Sequence, residues 1–483
     1  MTETPRPDAS EIFARHIVGC RFEDLSPEDV LATKRLVLDT LATLVGGSGE
    51  PPFPELLRFY REEGGAPEAT VMVHGLKLPA RHAVALNSGM ARALDLDDAH
   101  EAAIVHTGVH VVPAALAIAE RSGSISGREL ITAIALGQDL MARLSLACAS
   151  PPILRGRPGT YVFGTFATAA VTARLLRLDV RGVLDALGNA YTRSAGTTLG
   201  YHDGALAQRV LQGLSASDGV LAGLLAARGI GGIRGSLEGD AGYFTVHEGG
   251  RYDRDVLLGG LGSTFHGTTT ALKRYPVHRG AILDIEVACR IARRPSFVVE
   301  DVRRIVVRYP ARFREGHERI GAFRPERASP RGPVEPHFSN PWAVGVALCN
   351  GGIVRIEDFS EAGVDGLRDR VAPIARRVEG VADEALDEVC RGLGPRVIEV
   401  ILRDGTVLVE RLDHASGGPE RPLRWSDLMD KLEDCARLAA LPLAPRATAK
   451  ALAAIQDLES CDDVSWLPGL LVGVDPSAGS GGA

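Results

Sequence analysis

The sequence predicts a mainly α protein with two kinds of composition, a large helical part and a smaller α+β part. Three observations predict it. From Val111 to Ala227 apolar residues recur at helical spacing in one segment after another. Near Phe265 alternating apolar runs take over. After Gly417-Gly418 the helical spacing returns.

In chain order, Ser26-Pro27-Glu28-Asp29 reads as an N-cap, a proline at the first helical position and acids in the first turn. Val30, Val37, Leu38, Leu41, Leu44 and Val45 then form one stripe that stops at Gly46-Gly47. PELLRFYREEGG predicts a short helix, ATVMVHG a short β-like run, and the stretch from about Pro79 to Leu94 another helix. The helices predicted from Val111 to Ala227 are rich in Ala and Gly and poor in aromatics, which suits close backbone approach in a helical core. A helix from about Ala281 to Ala292 precedes the alternating PSFVVEDVRRIVVRYP. Helical PWAVGVALCN and GLRDRVAPIARRVE follow, and then RVIEVILRDGTVLVERL, whose Asp404-Gly405 predicts a two-residue hairpin turn. WSDLMDKLEDCARLA and RATAKALAAIQDLE close the chain as helices. The expected division is 1–264 helical, 265–411 α+β, 412–470 helical and 471–483 a loose tail.

A length of 483 residues exceeds one ordinary core, and 45% hydrophobic with 24% charged residues is globular composition. A net charge of −7 with no Lys/Arg-rich block argues against nucleic-acid partners and anionic membranes. No run of about 18 uncharged apolar residues is present. Seven scattered cysteines without a CxxC pair argue for a reducing compartment and against structural zinc. The polar MTETPRPDAS carries no apolar run behind it, so no signal peptide is expected and the localisation is read as cytoplasmic.

The densest polar stretch is Asn87 to Pro113, NSGMARALDLDDAHEAAIVHTGVHVVP, with Asp95, Asp97, Asp98, His100, Glu101, His106 and His110 between apolar helices. Such groups are costly to bury unless bonded or in use, though a solvated loop tip would hold them equally well. The spacings DxxDxH and HxxxxxH match no specific metal site, so no metal is expected.

LDLDDAH, His106 and VVPAALAIAE resemble the motifs of the MmgE/PrpD family, the 2-methylcitrate dehydratases, cis-aconitate decarboxylases and iminodisuccinate epimerases. The likeness runs on through GQDLMARLSLA, FGTFATAAVTARLLRLD, GVLAGLLAARGIGGIRGSLEGDAG, KRYP and HFSNPWAVGVALCNGG. It implies a large all-helical domain with an inserted α+β lid, the C-terminal helices rejoining the first part, a cleft site, a homodimer and a small carboxylate substrate.

On that pattern Asp95 and His106 fall at catalytic positions, with Asp98 and His100 beside them as substrate-side groups; His110 reads as structural. Lys273 matches the lysine of KxYP. His278 and Arg279 are the nearest substitutes for a later family histidine, because VHRGAILD is about two residues short of the pattern. Three departures stand out. GRPGTYVFG places Pro158 where GFHPTGTFG carries a histidine, with Arg157 beside it. AQRVLQG puts Gln208 and Leu211 where TKRLHAG carries lysine and histidine, keeping Arg209. Trp342 replaces a tyrosine after FSLP. Arg157, Gln208, Arg209, Arg279 and Trp342 are accordingly expected on the substrate side, and Asp95, His106, Lys273 and His278 in the chemistry. The expected activity is a cofactor-free lyase of dehydratase or decarboxylase type using general acid/base proton transfer. An epimerase or isomerase of a small (imino)dicarboxylate, and an inactive paralogue with a binding or structural role, are the alternatives.

Overall fold

The computed structural model describes residues 6–200, 205–390 and 392–474. Contacts divide the chain into two units, one of 1–93, 97–270 and 428–483, the other of 94–96 and 271–427. Chain order thus inserts the second unit into the first. The architecture is mainly α with a smaller β-sheet region, which is the fold class the sequence predicts.

The first unit is built of helices that start where the sequence supplies caps. Ser26 Oγ accepts from Asp29 N at 3.1 Å, Asp29 returns the bond to Ser26 N, and Pro27 opens the helix Pro27–Gly47. Its C-terminal half is wholly buried. Helix Ala207–Ala227 packs on Ala80–Arg92, Gly159–Leu175 and Val180–Tyr191. Small residues permit this: a Cβ on Gly213 would meet Ala85 O at 1.8 Å. By length and composition this helix, of mean hydropathy 1.4, could cross a membrane, yet half of that window is buried and Arg209 and Asp218 interrupt it. Helix Ala447–Gln456 packs on Pro27–Gly47, and Lys431 Nζ donates to the buried Asp39 carboxylate at 2.5 Å. Burial first pushes the Asp39 pKa up to about 6, with the Lys431 ammonium opposing.

The N-terminal helix Ala9–Gly19 and the strand Val378–Asp383 were not singled out in the sequence. Of the tail expected from residue 471, the first residues are bonded into the fold: Val73 N donates to Leu471 O, Gly473 N to Val73 O at 2.7 Å, and Val474 N to Pro442 O. Its remainder, 475–483, lies outside the described residues.

The second unit carries a four-stranded sheet in the order Val378–Asp383, Val302–Pro310, Arg396–Leu402, Val407–Leu412. The first two strands are parallel and the other pairings antiparallel. Arg396–Leu402 alternates buried and half-buried residues, as a strand with one covered face must. Helices Ile282–Ala292 and Asn340–Cys349 join the core through Ile285, Val344 and Trp342. The hairpin turn is one residue longer than expected. Leu402 N bonds Thr406 O at 2.8 Å, leaving 403–405 as the loop, with Gly405 at φ 89°. A three-residue loop needs that left-handed position, and glycine supplies it without strain.

Candidate active site

Residues 97–110 leave one helix and enter another, and the loop is pinned at several points. His100 N bonds Val105 O at 2.8 Å, Ser145 Oγ donates to Ala103 O at 2.6 Å, and His106 N donates to Thr160 Oγ1 at 3.2 Å. Ile104 sits at φ 53°, a region that a β-branched residue occupies only under constraint. The constraint falls two residues before His106.

Asp98 is fully buried, and both of its carboxylate oxygens serve the start of helix Gly108–Ser122. Thr107 N and Oγ1 donate to Oδ2 at 2.8 and 3.1 Å, and Gly108 N donates to Oδ1 at 3.0 Å. Burial first, and the neighbouring Asp97 next, push its pKa up, while these donors pull it back. Asp98 therefore caps a helix rather than facing substrate. Its main-chain carbonyl has a different use: His106 Nδ1 donates to it at 2.5 Å.

The same Nδ1 lies 2.9 Å from Asp97 Oδ2, and Arg92 Nη1 donates to Asp97 Oδ1 at 3.0 Å. A main-chain carbonyl and a carboxylate bound to arginine are both acceptors, so Nδ1 carries the proton. Nε2 is left with its lone pair and no hydrogen bond among the described residues, on a side chain 20% exposed. Asp97, to which the sequence reading gave no role, thus lies against the imidazole, whose hydrogen bond goes to Asp98 O.

The other two imidazoles of the stretch are spent on structure. Ala103 N donates to His100 Nδ1 at 3.1 Å, and His100 Nε2 donates to Thr269 Oγ1 at 2.8 Å. Burial, helped by His266, lowers its pKa to about 4, so the ring is neutral with both nitrogens bonded within the fold. His110 is buried against Gly164, bonded to Ser215 Oγ at 2.8 Å and to the Gln212 amide, and burial lowers it to about 3.

Three of the expected substrate-side groups are likewise occupied. Arg209 Nη1 donates to Glu50 Oε2 at 3.0 Å and Pro51 O at 2.8 Å. Arg279 is buried and donates to Ser416 O at 2.7 Å. Trp342 is fully buried in the core of the second unit, its indole N–H donating to Asp358 O at 3.3 Å. Size and burial make it part of that unit's core packing. Gln208 Nε2 donates to the Tyr161 hydroxyl at 2.5 Å. Arg157 is half-buried with its guanidinium 5.6 Å from the centre of the Tyr243 ring.

In the second unit Asp95, at φ 49°, pairs with Lys273. The buried ammonium donates to Asp95 O at 2.7 Å and lies 3.3 Å from Asp95 Oδ2. His278 is half-buried and its Nε2 meets Asn340 Oδ1 at 2.7 Å. Burial first lowers its pKa to about 4, with the Asn340 bond opposing.

The family models for the MmgE/PrpD N-terminal and C-terminal domains match residues 11–254 and 275–457. The chain belongs to the MmgE/PrpD family. Among its curated relatives are a cis-aconitate decarboxylase of Aspergillus terreus, 27% identical over 421 residues and 82% of each chain. The Homo sapiens cis-aconitate decarboxylase is 26% identical over 489 residues, 97% of this chain and 95% of that protein. The Mus musculus protein of the same name is 25% identical over 484 residues. Among the described residues of this MmgE/PrpD protein, no three His, Cys, Asp or Glu side chains are grouped so as to hold a metal ion.

Proposed function

We propose that the protein is a lyase, of decarboxylase or dehydratase type, acting on a small carboxylic acid by proton transfer at His106. Family membership supports the general class, lyase or isomerase chemistry on such acids, and three relatives are named cis-aconitate decarboxylases. The observation that carries the residue assignment is the state of one ring. His106 Nδ1 donates to Asp98 O and lies beside Asp97, which leaves the Nε2 lone pair free to act as a base on a partly exposed side chain.

A base so held can take a proton from carbon beside a carboxylate, and its conjugate acid can return one or protonate a leaving hydroxyl. Asp97, which accepts from Arg92, steadies the imidazolium that forms. Lys273 fixes Asp95 within its strained turn.

The test is incubation in deuterated water with a panel of hydroxy-, unsaturated and imino-dicarboxylates, followed by proton NMR. Carbon dioxide release or new alkene signals support the lyase reading. Deuterium entering one α-carbon, with neither water nor carbon dioxide lost, makes the protein an isomerase and overturns it.

A further inference from the structure

One cavity, of about 240 Å³, lies wholly within the second unit and has no part in the proposed mechanism. Two segments line it. Glu361, Val364, Asp365 and Arg368 share one face of helix Glu361–Ala375, a turn apart from one another, and Arg331 with Gly332 forms the other wall.

Both walls are fixed by bonds within the unit. Ser360 Oγ caps the helix by accepting from Gly363 N at 3.0 Å. Arg368 ties the second wall to that helix: Nη1 donates to Ser329 Oγ at 2.6 Å and to Pro330 O at 3.1 Å, just before Arg331. Arg331 N donates to Glu335 Oε2 at 2.8 Å, and Gly332 turns the chain at φ 61°, where glycine is unstrained. Val364, 2% exposed and part of the unit's core, supplies the apolar part of the lining.

The charges of the lining divide into spent and unspent. Arg368 Nη2 donates to Asp365 Oδ1 at 2.7 Å, so these two offset each other. Arg331 and Glu361 are exposed, and neither side chain bonds or pairs with any described residue. An exposed arginine and glutamate within reach ordinarily close a surface ion pair. Here they line one cavity without meeting. A plain anion would find its cation at Arg331 but a like charge at Glu361, and a plain cation the reverse. A molecule that carries both charges and a short apolar group meets all three kinds of surface.

We propose that this cavity binds a small zwitterion, an α-amino acid with a short aliphatic side chain. The carboxylate pairs with Arg331, the ammonium with Glu361, and the side chain rests on Val364. The volume suits so small a molecule, since cavities that enclose drug-sized ligands run to about 300–1,000 Å³.

Calorimetric titration of the full-length protein with valine at neutral pH tests it. N-acetylvaline, which keeps only the carboxylate, isobutylamine, which keeps only the ammonium, and inorganic phosphate are titrated beside it. Valine should bind saturably with Kd of about 1 mM or below, and each singly charged probe at least about tenfold more weakly. Arg331→Gln and Glu361→Gln should each weaken valine about tenfold, with the melting temperature unchanged because neither side chain bonds within the fold. No saturable heat from valine up to about 10 mM overturns the site without any variant. N-acetylvaline or phosphate binding as tightly as valine overturns the zwitterion in favour of a plain anion, and isobutylamine doing so overturns it in favour of a cation. Valine binding left intact by both variants puts the ligand elsewhere and overturns the assignment too. None of these readouts involves turnover, so a failure of the lyase reading leaves them unaffected.

Discussion

His106 and His278 are held by opposite nitrogens. In the first unit a main-chain carbonyl and a carboxylate grip Nδ1, and in the second an amide oxygen grips Nε2. The supports differ in charge as well. Asp97 beside His106 is a carboxylate bonded by Arg92, whereas the neutral Asn340 faces a ring whose pKa burial lowers to about 4. On the proposed reading the first imidazole exchanges a proton through Nε2, while burial keeps the second neutral. Residue type is therefore a poor guide to role in this molecule. What decides is which atom of each side chain remains once the fold has taken its share.

The largest test of that difference is His106→Gln. A glutamine keeps a polar side chain but cannot titrate, so kcat should fall by on the order of 10²–10⁴. Steady-state kinetics check this, and a variant with wild-type kcat would remove His106 from the chemistry. Next in size is Asp97→Asn. Its amide can turn either end to the ring and no longer stabilises the imidazolium, yet Asp98 O still holds Nδ1. The loss in kcat should therefore be about 10–10²-fold, smaller than for the histidine itself. Equal losses in the two variants would mean that Asp97 alone sets the tautomer.

His317 extends the contrast to an imidazole with no proposed chemistry. It stacks on Tyr309 at 4.4 Å and on Phe323 at 5.5 Å, and burial first, then Arg396 and His278, lower its pKa to about 2. Between that value and the ordinary 6.5 the unfolded chain binds a proton that the native ring refuses. Stability from this group is thus fully present above the unfolded value and is lost as pH falls below it, by about 2 kcal/mol at pH 5. His317→Phe keeps the stack and removes the proton, so its melting temperature should fall less than wild type between pH 7 and pH 5. Parallel melting curves would refute the neutral, buried state of the ring.

Most of the architecture was legible because it depends on period and punctuation. Ser26-Pro27 opens its helix and the Gly-rich segments pack closely, since both effects act within a few residues or on one face. Asp97 was missed because Asp95, Asp97 and Asp98 are alike in sequence. Only the folded loop decides that Asp98 caps a helix while Asp97 reaches the ring. The surroundings of Trp342 were illegible for the opposite reason: it stands where the resembled pattern has a tyrosine, and only the fold shows its ring buried in the core. Asn340 did leave a mark, an amide in an otherwise apolar helix start, though its partner Asp284 lies 56 residues away and Arg396, which bonds Asp284 in turn, 112 residues from that carboxylate.

The smallest effect concerns the arginines, for which the same rule separates the occupied from the available. Arg209 is committed to Glu50 and Pro51, and Arg279 to the main chain at Ser416. Arg157 rests over the Tyr243 ring and bonds no acid among the described residues. It also adjoins Pro158, where the family pattern carries a histidine, so it stands near a lost charge-bearing group in the sequence. If it meets a substrate carboxylate, Arg157→Gln should raise KM about tenfold, roughly 1.4 kcal/mol, with kcat little changed. Its stability should shift by no more than about 1 kcal/mol, the scale of a partly exposed cation–π contact. Arg209→Gln makes the reciprocal case: it strands a partly buried Glu50 and a main-chain carbonyl, so the melting temperature drops and any change in KM follows from that. Measured side by side, a KM effect confined to Arg157 and a stability effect confined to Arg209 would bear out the division. A rise in KM for Arg209→Gln at unchanged melting temperature would show that a group bonded within the fold still serves the substrate, and the rule would fail at that position.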